Sequence, residues 1–217
     1  GQFKIVDPQV FEESNLNRQF GSSMLNLGRN KAEVVFNQIK DINPQARIYH
    51  SNTGITTEED ATLLVSDCDL VIDEMDFGLF RESISLQRAA RRRGIYYIFT
   101  SAIGFGALIA IFDPKGLTLE EYNGLPPDVD LKDVEQPTIP LERICPVIPS
   151  YATADVIEEI LSGKRLAPVN SIGAGLASIL AANEAVSIIL GKRDIATAPQ
   201  YTYIDLMDRK FIVGTVS

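Results

Sequence analysis

The chain has 217 residues, 45% of them hydrophobic and 23% charged, with a net charge of −9. Those figures fit a single domain over residues 1–217 around one core and argue against general disorder, repeats or a collagen-like chain. So acidic a field repels phosphate backbones and anionic lipid, which weighs against nucleic acid and membrane surfaces as partners.

The first strand is read over residues 3–7 and ends in an acid, Asp7. A loop to Phe20 follows and carries Asn15-Leu16-Asn17-Arg18-Gln19. A carboxylate at the end of a parallel strand accepts hydrogen bonds from ribose hydroxyls in doubly wound folds, and an arginine grips phosphate by two parallel bonds. Asn30 caps a helix over Lys31 to Ile42, with Val34, Val35, Gln38, Ile39 and Ile42 on one side and Asn43-Pro44 as its stop. Lys31 in the first turn opposes the helix dipole, a cost of about 0.3–1 kcal/mol when exposed. It is either a tolerated surface lysine or the binder of an anion. Arg47 to Ser51 is a strand with the only histidine, His50, expected to pack locally rather than act as a base or ligand.

Thr57 and Asp60 form a capping box for a helix through Val65. Asp69 to Met75 is the strongest strand, and Asp73, Glu74 and Asp76 gather at its C-terminal end, where ligands of open α/β sheets sit. Three acids beside a phosphate ligand would need a cation between them, and Mg²⁺ held by one or two carboxylates suits that. The plainer reading, preferred for Glu74, is capping of the helix from Phe77 to Arg93. Arg91-Arg92-Arg93 ends that helix before Gly94. Strands follow from Ile95 to Ile103 and from Ala107 to Phe112. Gly104-Phe105-Gly106 joins two strands, so it is a bulge or close approach and not a nucleotide loop.

Residues 113–150 hold seven prolines and read as a long irregular crossover. Ala154 to Leu161 is a short helix. The apolar helix from Ile172 to Leu190 is interrupted by Gly173, Gly175, Asn183 and Glu184, which argues against a membrane span. Its small residues are expected against the sheet or a second subunit. The chain closes on a hairpin around Asp208-Arg209. Two cysteines, Cys68 and Cys145, build no disulfide framework and no Cys₄ zinc site, and the cytoplasm is the default location.

The acid-ended strand with its N-L-x-R-Q loop, Lys31 in GRNKAE, Asp76 and Arg81 in DFGLFR, and the closing glycine-containing helix with Glu184 together resemble the ThiF/MoeB/HesA family. These are adenylating enzymes related to the ubiquitin-activating enzymes. The resemblance implies a three-layer, Rossmann-like α/β fold, its sheet mostly parallel with an antiparallel C-terminal end. It implies ATP-dependent adenylation of the C-terminal carboxylate of a ubiquitin-like or sulfur-carrier protein or peptide, by a homodimer. Asp7 would hold the ribose, Asn15, Arg18 and Lys31 the phosphates, and Asp76 Mg²⁺, with Gln19 and Arg81 in support. The family often keeps a cysteine in the crossover, a place filled here by Cys145, whose thiol would need a lowered pKa to attack. The family also has a strand and a G-x-G-x-x-G turn ahead of the strand that ends at Asp7. The sequence opens on Gly1 without them, so the chain is expected to be N-terminally incomplete. A non-catalytic scaffold that binds a partner subunit is the alternative. A dehydrogenase-like NAD site would explain Asp7 but leave Arg18, Lys31 and Asp76 without a shared purpose.

Overall fold

A computed structural model describes residues 1–134, 143, 145–162, 164–165 and 167–216. The chain forms two compact units, residues 1–56 and 57–217.

In the first unit β1 (Gln2–Val6) and β2 (Arg47–Ser51) pair in parallel, with Gln2 opposite Arg47 and Val6 opposite Ser51. Parallel neighbours need a crossover, and α1 (Lys31–Ile42) provides it. Its start is fixed by Asn30, whose side chain accepts from the Glu33 N–H. Lys31, Ala32 and Val34 are buried, and the Phe36 ring lies 4.6 Å from that of His50, so the histidine packs locally as expected. Gln38 and Ile42, assigned to the apolar side, are exposed instead. The buried side is set by the first turn, where the helix meets the loop before it, and the last turn is free of cover. That loop, residues 8–30, folds back so that Phe11 is buried and bridges Leu27.

The second unit begins with α2 (Glu58–Val65), capped by the expected Thr57 and Asp60 box. Its sheet runs in the order β3 (Leu70–Asp73), β4 (Tyr96–Ile103), β5 (Gly106–Phe112), β6 (Gln200–Asp205) and β7 (Lys210–Thr215). The β3–β4 pair is parallel and the three that follow are antiparallel. An α/β, Rossmann-like chain with an antiparallel C-terminal end is thus what the sequence adopts. α3 (Phe80–Arg93) connects β3 to β4 and stops at Gly94, which has φ +77°. A 3₁₀ turn over Phe77–Leu79 precedes it, so the α-helix starts later than read from the sequence. Gly104 takes φ +57° at the β4–β5 hairpin, and a side chain at Gly106 would meet the Ile204 carbonyl oxygen at 2.5 Å. The close approach read at that G-F-G is therefore present.

The crossover is less irregular than its prolines imply. α4 (Leu119–Tyr122) lies inside it, held by a Thr118 and Glu121 capping box, with Leu119, Glu120 and Tyr122 buried. Glu120 receives the Nε–H of Arg88 at 2.8 Å, which ties this turn to α3. Residues 135–142 and 144 of the expected crossover, Pro137 and Pro140 among them, lie outside the described residues. α5 (Ala154–Leu161) and α6 (Ser171–Leu190) follow. By length and composition α6 could cross a membrane. One side of it is nonetheless packed on the sheet, with Ala177 and Leu180 against Ile98, Ala107, Ile109 and Ile111. Gly173 permits that approach, since a Cβ there would lie 2.5 Å from the Gly104 carbonyl oxygen.

Candidate nucleotide site

The first unit brings the C-terminal end of β1 to the N-terminus of α1. Asn30 does this directly: its Nδ2–H donates to the Asp7 carbonyl at 2.8 Å and the Gln9 carbonyl at 3.0 Å, while its Oδ1 caps α1. Asp7 itself is half-buried, and its Oδ1 accepts the Gln9 N–H at 2.8 Å. That short turn aims the carboxylate and leaves its second oxygen for a hydroxyl.

Lys31 sits in the first turn of α1 and is only 9% exposed. Its Nζ donates to the Gln9 side-chain oxygen at 2.7 Å, and among the described residues no carboxylate pairs with it. A buried ammonium with a neutral partner is an expensive arrangement. At a helix N-terminus, where backbone N–H groups also point outward, an anion relieves it.

The N-L-x-R-Q loop is built around Asn15. Its side chain accepts the Glu12 N–H at 3.0 Å, and its carbonyl receives the N–H groups of Arg18 and Gln19. Asn15 is buried and acts first as the organiser of the loop. Arg18 is half-buried, its Nη1 donating to the Ser14 carbonyl at 2.6 Å and the Asn17 side chain at 3.1 Å. It too has no carboxylate partner among the described residues. The Gln19 carbonyl accepts from Ser22 Oγ, which closes the turn.

In the second unit the acids at the end of β3 separate into different kinds. Asp73 is 1% exposed and fully occupied: its Oδ1 takes the Met75 N–H at 2.7 Å and its Oδ2 the Tyr97 hydroxyl. Burial raises its pKa against the pull of those bonds. It is a structural group. Glu74 is exposed, yet its carboxyl is pushed up to about 7, first by desolvation from the surrounding chain and then by the charge of Asp73. It caps neither the 3₁₀ turn nor α3, whose cap positions are Asp76 and Leu79, so the capping role preferred for it is not present. Asp76 is exposed and makes no side-chain capping bond, although it stands at the cap position. Its carboxylate is therefore available. Arg81 donates its Nε–H to the Val134 carbonyl at 2.7 Å and so holds the middle of the crossover to α3.

Beside Asp76 a small cavity opens within the same unit, lined by Met75, Phe80, Phe99, Leu108, Tyr122 and Arg143 among others. The Tyr122 hydroxyl is buried there without a hydrogen-bond partner, and Arg143 donates to the Tyr122 carbonyl at 3.0 Å. Sequence reading missed Gln9 and Tyr122, which lie outside the motifs. Cys145 donates to the Val147 carbonyl, and burial pushes its thiol up to about 11, the direction opposite to an activated thiolate. Among the described residues no group of three metal-ligating side chains forms.

A model of the ThiF family matches residues 1–216. The chain is 26% identical over 201 residues to an adenylyltransferase and sulfurtransferase, uba4, of Pyricularia oryzae, covering 92% of this chain and 36% of that one. It is 24% identical over 207 residues to a probable molybdopterin-synthase adenylyltransferase of Gracilaria tenuistipitata var. liui, covering 95% and 49%. Among solved structures, E. coli MccB with ATP superposes with a TM-score of 0.70 at 18% identity, covering 100% of this chain and 57% of that one. PaaA does so with a TM-score of 0.65 at 16% identity, covering 100% and 56%. The chain thus spans about half the length, or less, of the curated relatives it matches.

Proposed function

The chain belongs to the ThiF family, and from that premise we propose that it carries the adenylation chemistry of an ATP-dependent adenylyltransferase. The substrate is the C-terminal carboxylate of a ubiquitin-like or sulfur-carrier protein or of a peptide. That carboxylate attacks the α-phosphorus of ATP, the bond to the β-phosphate oxygen breaks, and an acyl adenylate and pyrophosphate result. The names of the relatives support the class of reaction, and the MccB structures with ATP and with MccA support a nucleotide and a peptide as ligands.

The buried, carboxylate-free ammonium of Lys31 at the start of α1 carries the reading. In it Asp7 accepts the ribose hydroxyls, while Arg18 and Lys31 neutralise phosphate, on a loop that Asn15 and Gln19 shape. Asp76 holds Mg²⁺. A lone exposed carboxylate fits that ion, which takes one or two carboxylates and fills its remaining positions with water and phosphate oxygens. Bound there, Mg²⁺ would supply charge neutralisation at the phosphates. Arg81 has a supporting role beside Asp76 in the second unit, where it fixes the crossover at Val134. The incoming carboxylate is already the nucleophile, so positioning and electrostatics do the work and no base is needed. Cys145, protonated and half-buried, takes no part in adenylation. The protein acts as a homodimer in the cytoplasm, with residues 1–217 serving as one adenylation domain.

A calorimetric titration with MgATP tests this. Saturable binding that Lys31→Ala weakens supports the reading, and equal binding by both proteins contradicts it.

A further inference from the structure

The cavity beside Asp76 is walled by side chains that the fold holds from two directions. Phe99 of β4 and Leu108 of β5 rise from one face of the sheet, since Ser101, which shares the face of Phe99, is the register partner of Leu108. Leu119 and Tyr122 close on them from α4, which is fixed by its capping box and by the Arg88 and Glu120 pair at 2.8 Å. Tyr122 is 3% exposed and is held at every polar atom but one. Its N–H donates to the Thr118 carbonyl at 3.0 Å, its carbonyl accepts from Arg143 at 3.0 Å, and its ring stands edge-on to Phe112, 5.4 Å away. The hydroxyl alone has no partner among the described residues. A phenol buried in this way gives up the bond it makes in water and gains none in return. Arg143, on the same lining, pairs with no carboxylate among the described residues, so the polar corner of the cavity is made of donors.

Such a corner is complemented by an oxygen acceptor, and the space sets the size of the group that brings it. The cavity measures about 30 Å³, and one water needs about 10–15 Å³, so there is room for about two or three non-hydrogen atoms. Glycine or alanine leaves that space largely empty. Valine fills it without an acceptor, and the acidic, amide and basic side chains are too long. Serine and threonine meet both demands. We propose that this cavity receives the side chain of the substrate's C-terminal residue and that the Tyr122 hydroxyl selects a hydroxyl there, so that the substrate is a peptide or carrier ending in threonine or serine. The inference rests on the adenylation reading and narrows its substrate: Asp76, which holds Mg²⁺ in that reading, lines the same cavity.

ATP–pyrophosphate exchange with four peptide pools, randomised upstream and fixed at the last position as glycine, valine, serine or threonine, tests it. At low peptide concentration the exchange rate should be about 10-fold or more higher for threonine than for valine, its isostere, with serine on the threonine side and glycine on the valine side. Tyr122→Phe should bring threonine and valine to equal rates. Damage to the fold would slow both alike and leave their ratio in place. The urea midpoint of Tyr122→Phe should also stand at or above that of the wild type, because the hydroxyl removed has no partner to lose. Equal rates for threonine and valine in the wild type, a faster valine pool, a threonine preference that survives Tyr122→Phe, or a lowered midpoint overturns the selection and leaves adenylation standing. No exchange with any pool overturns both.

Discussion

The ammonium of Lys31 lies 2.7 Å from the side-chain oxygen of Gln9, and this neutral amide is its partner in a nearly closed environment. Gln9 therefore holds the cation in place without neutralising it. Lys31→Ala is expected to weaken MgATP binding about 10- to 100-fold, the range of a lost charge-assisted hydrogen bond. Gln9→Ala should cost less, because the ligand charge remains. Calorimetry on both variants checks the order, and a larger loss for Gln9→Ala would show that the ammonium is not the principal contact.

Arg18 is the second cation of the same loop, resting on the Ser14 carbonyl. Arg18→Ala should lower ATP–pyrophosphate exchange by about 10²-fold, as removal of a charge-stabilising donor typically does. Thermal stability should hardly move, since the bonds lost are to the loop's own exposed groups. Unchanged exchange counts against its assignment.

Asn30 is expected to matter for stability as much as for binding. It caps α1 and bridges the carbonyls of Asp7 and Gln9, so Asn30→Ala removes three hydrogen bonds at once. The cost should be about 2 kcal/mol, from a lost cap and a lost partner for the Asp7 carbonyl, the Gln9 carbonyl still accepting the Lys31 N–H. Urea denaturation measures it. Asn30→Asp, which keeps the cap but not the donor, should fall between the two.

Glu74 gives the pH dependence. Its folded pKa is about 7 against a reference of 4.5, so between those values the folded chain holds a proton that the unfolded chain has released. Stability contributed by this group is full below the reference value and is lost as pH rises through 7. Urea midpoints of wild type and Glu74→Gln should therefore diverge as pH goes from 4.5 to 8, the variant gaining. Parallel midpoints would show that Glu74 titrates normally.

Local signals were legible in the sequence because they are made by neighbours. The Asn30 cap, the Thr57 and Asp60 box, the stop at Gly94 and the terminal hairpin each depend on residues within a few positions. What the sequence hid lies at long range. Nothing near Asp73 announces that Tyr97, on the adjacent strand, will occupy its carboxylate and remove it from the candidate ligands. Nothing near Lys31 announces Gln9, which the chain reaches only by folding a loop back on itself. α4 was hidden by composition: prolines and acids mask a helical turn whose buried Glu120 is held by Arg88. Asp76 was singled out from the three acids at the end of β3 only through a resemblance, and the structure adds why it is available, since the cap position it fills makes no side-chain bond.

The central claim is tested most directly by ATP–pyrophosphate exchange in the presence of a carrier protein or peptide with a free C-terminal carboxylate. Wild-type protein should move label from pyrophosphate into ATP only when carboxylate and Mg²⁺ are both present, and Asp76→Asn should lose that exchange by about 10²-fold or more. Full exchange by Asp76→Asn, or none by the wild type with any such carboxylate, would contradict the account.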